Sequence, residues 1–160
     1  MFRIGHGYDV HRLSVGKGIR LGGVEIACDY SLIAHSDGDV LIHALCDAML
    51  GALALGDIGK FFPDDDPQYR DIDSRRLLRA VVARIRAMGY SVCNVDATVI
   101  AQTPRLSPFI QSMRQTLAGD LAMETAAVSV KATTHEGIGS IGRQEGIAAH
   151  AVVLLQKNRG

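Results

Sequence analysis

Gly5-His6-Gly7-Tyr8-Asp9-Val10-His11, together with Ala34-His35-Ser36-Asp37-Gly38-Asp39-Val40-Leu41-Ile42-His43, decides how this chain is read. If residues 2–13 form a strand, Asp9 and His11 are two positions apart and project from the same face, so they can converge on one point. The second stretch reads as the start of a helix, which can bring His43 to that point as a third donor. Two imidazoles and a carboxylate form a zinc set with one position left open, as a catalytic metal requires. The pattern therefore predicts a metal-dependent enzyme. Ser36, Asp39, His43 and Asp47 recur at intervals of three or four and share one helix face, so Asp39 or Asp47 is expected to accept the other ring N–H of His43. Asp39 has an alternative place as the distal half of a capping box opened by Ser36.

Working outward, Gly5 and Gly7 permit a bulge or a close backbone approach within the first strand, and His6 reads as a structural histidine. A short strand at 19–21 and a hairpin return through Tyr30 follow, with no evident chemistry. The helix opened at Ser36 has Val40, Leu41, Ala44, Leu45, Ala48, Met49 and Leu53 around most of its circumference, which predicts burial on most sides and an end near Gly56. The segment 57–67 reads as a long irregular connection. Its Asp64, Asp65 and Asp66 fit a solvated acidic loop as well as a substrate contact.

A second helix is expected from Asp73 or Ser74 to Met88, with Leu77, Leu78, Val81, Val82 and Ile85 on one face, arginines on the other and Gly89 as terminator. A strand over 90–102 sets Cys93, Val95, Ala97, Val99 and Ala101 against a mixed face, which is explicable if that face meets another subunit. Ser107 as N-cap and Pro108 at the first position predict a third helix over 109–117, closed near Gly119. A strand at 128–132 leads to Thr133, Thr134, His135 and Glu136 and a glycine-rich loop, where hydroxyls and amides can meet phosphate and Glu136 is a hard ligand of the kind magnesium takes. The last strand spans 147–155. Three helices on one mixed sheet give an α+β two-layer sandwich, and the face left bare suggests a ring of identical subunits.

The chain has 160 residues, the size of one domain over 1–160, with 17 Lys plus Arg against 17 Asp plus Glu. That balance removes the electrostatic case for nucleic acid or an anionic membrane as partner. Cys28, Cys46 and Cys93 are odd in number and widely spaced, which suits a reducing cytoplasm better than a disulfide framework. No apolar run approaches a membrane span.

Four segments, GHGYDVHRL (5–13), AHSDGDVLIHALCDAMLGALALGDIGKFFPD (34–64), NVDATVIAQTPRL (94–106) and VKATTHEGIGSIGRQEGIAAHAV (130–152), resemble the 2-C-methyl-D-erythritol 2,4-cyclodiphosphate synthases of non-mevalonate isoprenoid biosynthesis. The resemblance implies a homotrimer with sheets packed around its axis and active sites shared between neighbours. It matches Asp9, His11 and His43 to zinc ligands and Glu136 to a carboxylate holding magnesium or manganese on the substrate diphosphate. His35 and Thr134 match positions that steady the reacting phosphates, with Ser36 and His135 beside them. Asp57, Ile58 and Gly59 match the segment holding the methylerythritol part, under a loop of Phe62, Pro63, Asp64, Asp65 and Asp66. The cytidine pocket corresponds to Ala101, Gln102, Thr103, Pro104, Arg105, Leu106 and Ser107 with Thr133 and Thr134, from an adjacent subunit. Arg143 matches a basic residue near the trimer axis. Arg105 stands where the family often has lysine, and Ser140 where many members carry an aromatic.

The implied reaction is cyclisation of 4-diphosphocytidyl-2-C-methyl-D-erythritol 2-phosphate with release of CMP. Its nucleophile belongs to the substrate, which fits a chain with no convincing Ser-His-Asp or Cys-His arrangement. A phosphohydrolase using metal-bound water is the rival enzyme reading. A trimeric metal- or isoprenoid-binding module is the rival without turnover.

Overall fold

The computed structural model describes residues 1–63 and 66–158. In chain order the elements are β1 (Phe2–Val15), β2 (Ile19–Leu21), β3 (Val24–Ile26), β4 (Tyr30–Ile33), α1 (Val40–Ala52), the one-turn α2 (Ile58–Phe61), α3 (Ser74–Ala87), β5 (Tyr90–Ile100), α4 (Ile110–Leu121), β6 (Val128–Thr133), the one-turn α5 (Gly139–Gly142) and β7 (Gly146–Lys157). Five strands form one sheet in the order β4-β1-β7-β5-β6, while β2 and β3 make a separate hairpin. All neighbours are antiparallel except β5 and β6, which run parallel and are joined through α4. The architecture is α+β with a mixed sheet, as the pattern predicts. The connection read as irregular over 57–67 carries α2 and a short 3₁₀ turn at Pro67–Tyr69.

The helices pack on one face of the sheet. There Val95, Ala97 and Val99 of β5 and Ala149, Ala151, Val153 and Leu155 of β7 are buried. On β1 the same face is Gly5 and Gly7, and the need for glycine is steric: an added Cβ would lie 1.8 Å from the Ala48 carbonyl oxygen and 1.9 Å from that of Ala44. The glycines thus let the backbone of α1 rest directly on β1, and no bulge is involved. The opposite face leaves Phe2, Ile4, Tyr8 and Val10 exposed. It is covered at one end, where Ile141 of α5 packs against Ile100 and Ala148. His6 lies on this open side, its Nε2 3.0 Å from His150 Nδ1, so it faces away from Asp9 and His11 rather than into the core.

Three expectations need correction. Helix α1 begins at Val40, with Asp39 rather than Ser36 as its cap. Asp39 is fully buried and its carboxylate accepts from Ile42 N at 3.0 Å, Gly22 N at 2.9 Å and Gly23 N at 2.7 Å. Gly22 and Gly23 both have positive φ, as the two-residue turn of a tight hairpin demands. The β2–β3 hairpin therefore anchors the start of α1. In β5 the pairing to β7 shifts between Val92 and Asn94, a bulge that leaves Cys93 unpaired. Val92, not Cys93, joins the core side, and Cys93 Sγ turns to Gln156. Finally, Ser107 does not cap the third long helix: residues 107–109 form a 3₁₀ turn and α4 continues past Gly119 to Leu121, ending at Ala122 in the left-handed region.

Candidate active site

Side-chain alternation on β1 and the first turn of α1 bring three donors together. Asp9 Oδ2 lies 3.1 Å from His11 Nε2 and 3.1 Å from His43 Nδ1, and the two ring nitrogens are 3.0 Å apart. This near-equilateral triangle approaches one face of a tetrahedron around a zinc ion, whose edges are about 3.3 Å for bonds of about 2.0–2.1 Å. Asp9, His11 and His43 could hold a metal ion, and among the described residues they form the group of three or more His, Cys, Asp and Glu side chains able to do so. Their side chains are 26%, 17% and 12% exposed, so the fourth side is open. Burial by itself would raise the Asp9 carboxyl, but hydrogen bonding and charge from His11 and His43 hold it well below the usual carboxylate range. Conversely, burial would lower the His43 ring, and Asp9 raises it overall.

The acceptor behind His43 differs from expectation. Asp39 is committed to the hairpin and the helix cap, and Asp47 Oδ1 accepts from Ile58 N at 2.7 Å. His43 Nε2 instead meets two hydroxyls, Ser74 Oγ at 2.9 Å and Ser36 Oγ at 3.1 Å. Ser74 comes from the start of α3, where Asp73 is the cap, and its only signal in the sequence was as the alternative cap of that helix.

The triad lies in the wall of a cavity of ≈ 350 Å³ that also takes in Ala34, His35, Ser36, Ile58, Gly59 and Phe62. Asp47 also lines it, as do Tyr69, Ile72 and Leu77, which were not expected at the site, with Tyr69 edge-on to Phe62 at 5.3 Å between centroids. The cavity also contains a buried side-chain nitrogen that has no hydrogen-bond partner among the described residues, His35 Nε2. Such an atom fits a site made for a polar ligand. Asp57 is exposed and caps α2 through Lys60 N, while Pro63 and Asp66 flank the mouth in sequence and Asp66 caps the 3₁₀ turn through Gln68 N. Asp64 and Asp65 lie outside the described residues.

The remaining predicted residues gather elsewhere. Ala101, Gln102, Pro104, Arg105, Leu106, Ser107, Thr133 and Thr134 line a cavity of ≈ 310 Å³ at the ends of β5 and β6, with Thr103 in the same loop. Arg105 Nε donates to Ser107 Oγ at 3.0 Å. Thr134 Oγ1 donates to Glu136 Oε1 at 3.1 Å, and both residues are exposed, as is His135. Strands β7 and β5 separate β1 from β6, a lateral distance of about 14 Å at roughly 4.7–4.9 Å per strand step. Glu136 is thus not part of the Asp9–His11–His43 group within one chain. Arg143 sits at the end of α5, on exposed surface, with Nε donating to Glu145 Oε1 at 2.7 Å.

With this geometry, comparison with known proteins is specific. A profile described as the YgbB family matches residues 2–156. A curated 2-C-methyl-D-erythritol 2,4-cyclodiphosphate synthase from Ectopseudomonas mendocina is 62% identical over 155 residues, covering 97% of this chain and 99% of that one. Among solved structures, IspF of Plasmodium falciparum in a CDP complex superposes with a TM-score of 0.87 at 36% identity, covering 99% of this chain and 97% of that one. The bifunctional IspDF of Campylobacter jejuni superposes with a TM-score of 0.94 at 41% identity, over 98% of this chain but only 42% of that longer protein. The likeness spans the sheet, the helices and the strand and helix that carry the triad, and on it the chain belongs to the YgbB family of 2-C-methyl-D-erythritol 2,4-cyclodiphosphate synthases.

Proposed function

We propose that this protein converts 4-diphosphocytidyl-2-C-methyl-D-erythritol 2-phosphate into 2-C-methyl-D-erythritol 2,4-cyclodiphosphate and CMP. The observation that carries the reading is the convergence of Asp9, His11 and His43 in a cavity that also holds the unpartnered His35 Nε2. In the reaction an oxygen of the 2-phosphate forms a bond to the β-phosphorus, and the bond from that phosphorus to the bridging oxygen of CMP breaks. The electron pair leaves with CMP, so no protein nucleophile enters the balance.

Zinc is the ion that suits two imidazoles and one carboxylate with an open position, and there it would act as a Lewis acid on phosphate oxygen. Magnesium or manganese fits Glu136, a hard oxygen donor beside the Thr134 hydroxyl. Around these, the chain's own groups orient. His35, with its free ring nitrogen, and Thr134 steady phosphate oxygens, while Ile58, Gly59 and Phe62 enclose the methylerythritol carbons beneath Asp57. Holding attacker and leaving group in line within one substrate is worth up to about 7–11 kcal/mol. The cavity at Ala101–Ser107 with Thr133 and Thr134 is suited to cytidine and its phosphates, Arg105 supplying a directional guanidinium.

A homotrimer belongs to the same proposal. The two cavities lie at opposite sides of the sheet, three strand steps apart, and a neighbouring copy would bring its β5–β6 end to this triad. The open sheet face has the apolar character such packing uses, with Phe2 61% and Ile4 72% exposed. Arg143, close to that face on α5, would then stand near the axis. Among the described residues no helix is long and apolar enough to cross a membrane, and the three cysteines are free, in keeping with work in the cytoplasm.

Incubating the purified protein with the cytidine diphosphate substrate and magnesium, then weighing the products, tests the proposal. A cyclic diphosphate plus CMP is expected. An open-chain phosphate would indicate a hydrolase, and unchanged substrate a binding scaffold; either outcome overturns it.

A further inference from the structure

Behind His43, away from the metal-facing side, a chain of polar groups runs into the interior, and we infer that Ser74 and Asp37 are positioning residues that fix the tautomer and orientation of this ring. The inference rests on His43 as a zinc ligand and concerns what makes it one. Ser74 is fully buried at the start of α3. Its single O–H has Asp37 Oδ1 2.5 Å away, and a carboxylate oxygen only accepts. The hydroxyl proton therefore goes to Asp37. The contact of 2.9 Å between Ser74 Oγ and His43 Nε2 must then have the ring N–H as donor. An imidazole protonated on Nε2 and neutral has its lone pair on Nδ1, the nitrogen that stands 3.0 Å from His11 Nε2 and 3.1 Å from Asp9 Oδ2.

Asp37 is itself held. Its Oδ2 accepts from the backbone N–H of Ser74 at 3.1 Å and lies 3.6 Å from Arg20 Nη1. Ser36 also approaches His43 Nε2, at 3.1 Å, but its oxygen accepts from Gly38 N at 3.2 Å, lies 3.5 Å from Ser74 Oγ and has no carboxylate partner among the described residues. The two hydroxyls are thus unequal. Ser74 transmits the direction set by a charged acceptor, while Ser36 is an auxiliary contact. Partners of this kind behind a ligating histidine typically alter metal affinity by 10–100-fold when removed.

The test uses the zinc-loaded protein. Competition with a chelator should show Ser74→Ala weakening zinc by about 10–100-fold and Ser36→Ala by no more than about threefold. Asp37→Asn, which leaves both helix caps intact but puts an NH2 group where Ser74 needs two acceptor oxygens, should weaken it comparably to Ser74→Ala. Nitrogen NMR of histidine-labelled, zinc-loaded wild type should show a slowly exchanging proton on His43 Nε2, lost in Ser74→Ala while helicity is kept. A proton on Nδ1, or equal zinc affinity in wild type, Ser74→Ala and Asp37→Asn, overturns the inference. Failure of wild type to bind zinc at all would instead remove the metal reading on which it stands.

Discussion

Two clusters of polar residues occupy the same end of the sheet in opposite circumstances. Register links them in one row: Asp9 on β1 pairs with Ala149 on β7, Ala149 with Val99 on β5, and Val99 with Ala132 on β6. At the β1 end, Asp9, His11 and His43 are brought together by a helix resting on two glycines, and His43 and Asp47 behind them are hydrogen-bonded to Ser74 and Ile58. At the β6 end, Thr134, His135 and Glu136 are exposed, and Thr134 and Glu136 bond chiefly to each other. The first cluster is organised by folding alone. The second has donors and acceptors turned to solvent, as the proposal of a site completed by a neighbouring subunit requires.

The sharpest way to break this contrast is at His43. His43→Ala should abolish zinc binding and reduce cyclisation by about 10³-fold or more, as expected when a catalytic metal is lost, while circular dichroism stays native. Stoichiometric zinc in that variant would separate the triad from the metal. Glu136→Gln addresses the other end: it should leave zinc content unchanged and cut the magnesium-stimulated rate by roughly 10²-fold, about 2.7 kcal/mol. An unaltered magnesium response would mean that the β6 end takes no part in holding the second ion.

Gly7→Ala tests whether the triad depends on the fit between β1 and α1. Its methyl would collide with a backbone carbonyl that cannot swing away, so a loss of about 1–3 kcal/mol or more in denaturant stability is expected, with weakened zinc binding as α1 shifts. The equivalent disturbance at the rim, Thr133→Val, should leave stability within about 0.5 kcal/mol because the residue is exposed. The smallest effects belong to the cysteines. Cys28→Ser and Cys93→Ala should keep turnover within about twofold, and a large fall in activity with normal folding would restore a thiol to the chemistry.

Much of the Asp9–His11–His43 cluster was legible because it depends on short-range periodicity. Two-residue spacing put Asp9 and His11 on one strand face, and a helix start placed His43 in the first turn. The partners of His43 were not legible. Asp39 and Asp47 had the right helical spacing, but the β2–β3 hairpin and the α2 start claimed them first, and the hydroxyl of Ser74 came from thirty-one residues away. The bulge at Cys93 was equally hidden. Alternation looked unbroken through Val95, and only the pairing with β7 showed that one residue is extra.

By itself, then, the order of residues determined which side chains share a face, where helices can start, and that a carboxylate and two imidazoles were available to one ion, since these follow from backbone periods of 2 and 3.6. Tertiary structure decided which acceptor each donor meets, and that the triad and the β5–β6 cavity stand strands apart. Those outcomes depend on how the hairpin, α2 and α3 take up Asp39, Asp47 and Asp37, a matching of groups distant in the chain that local pattern does not record.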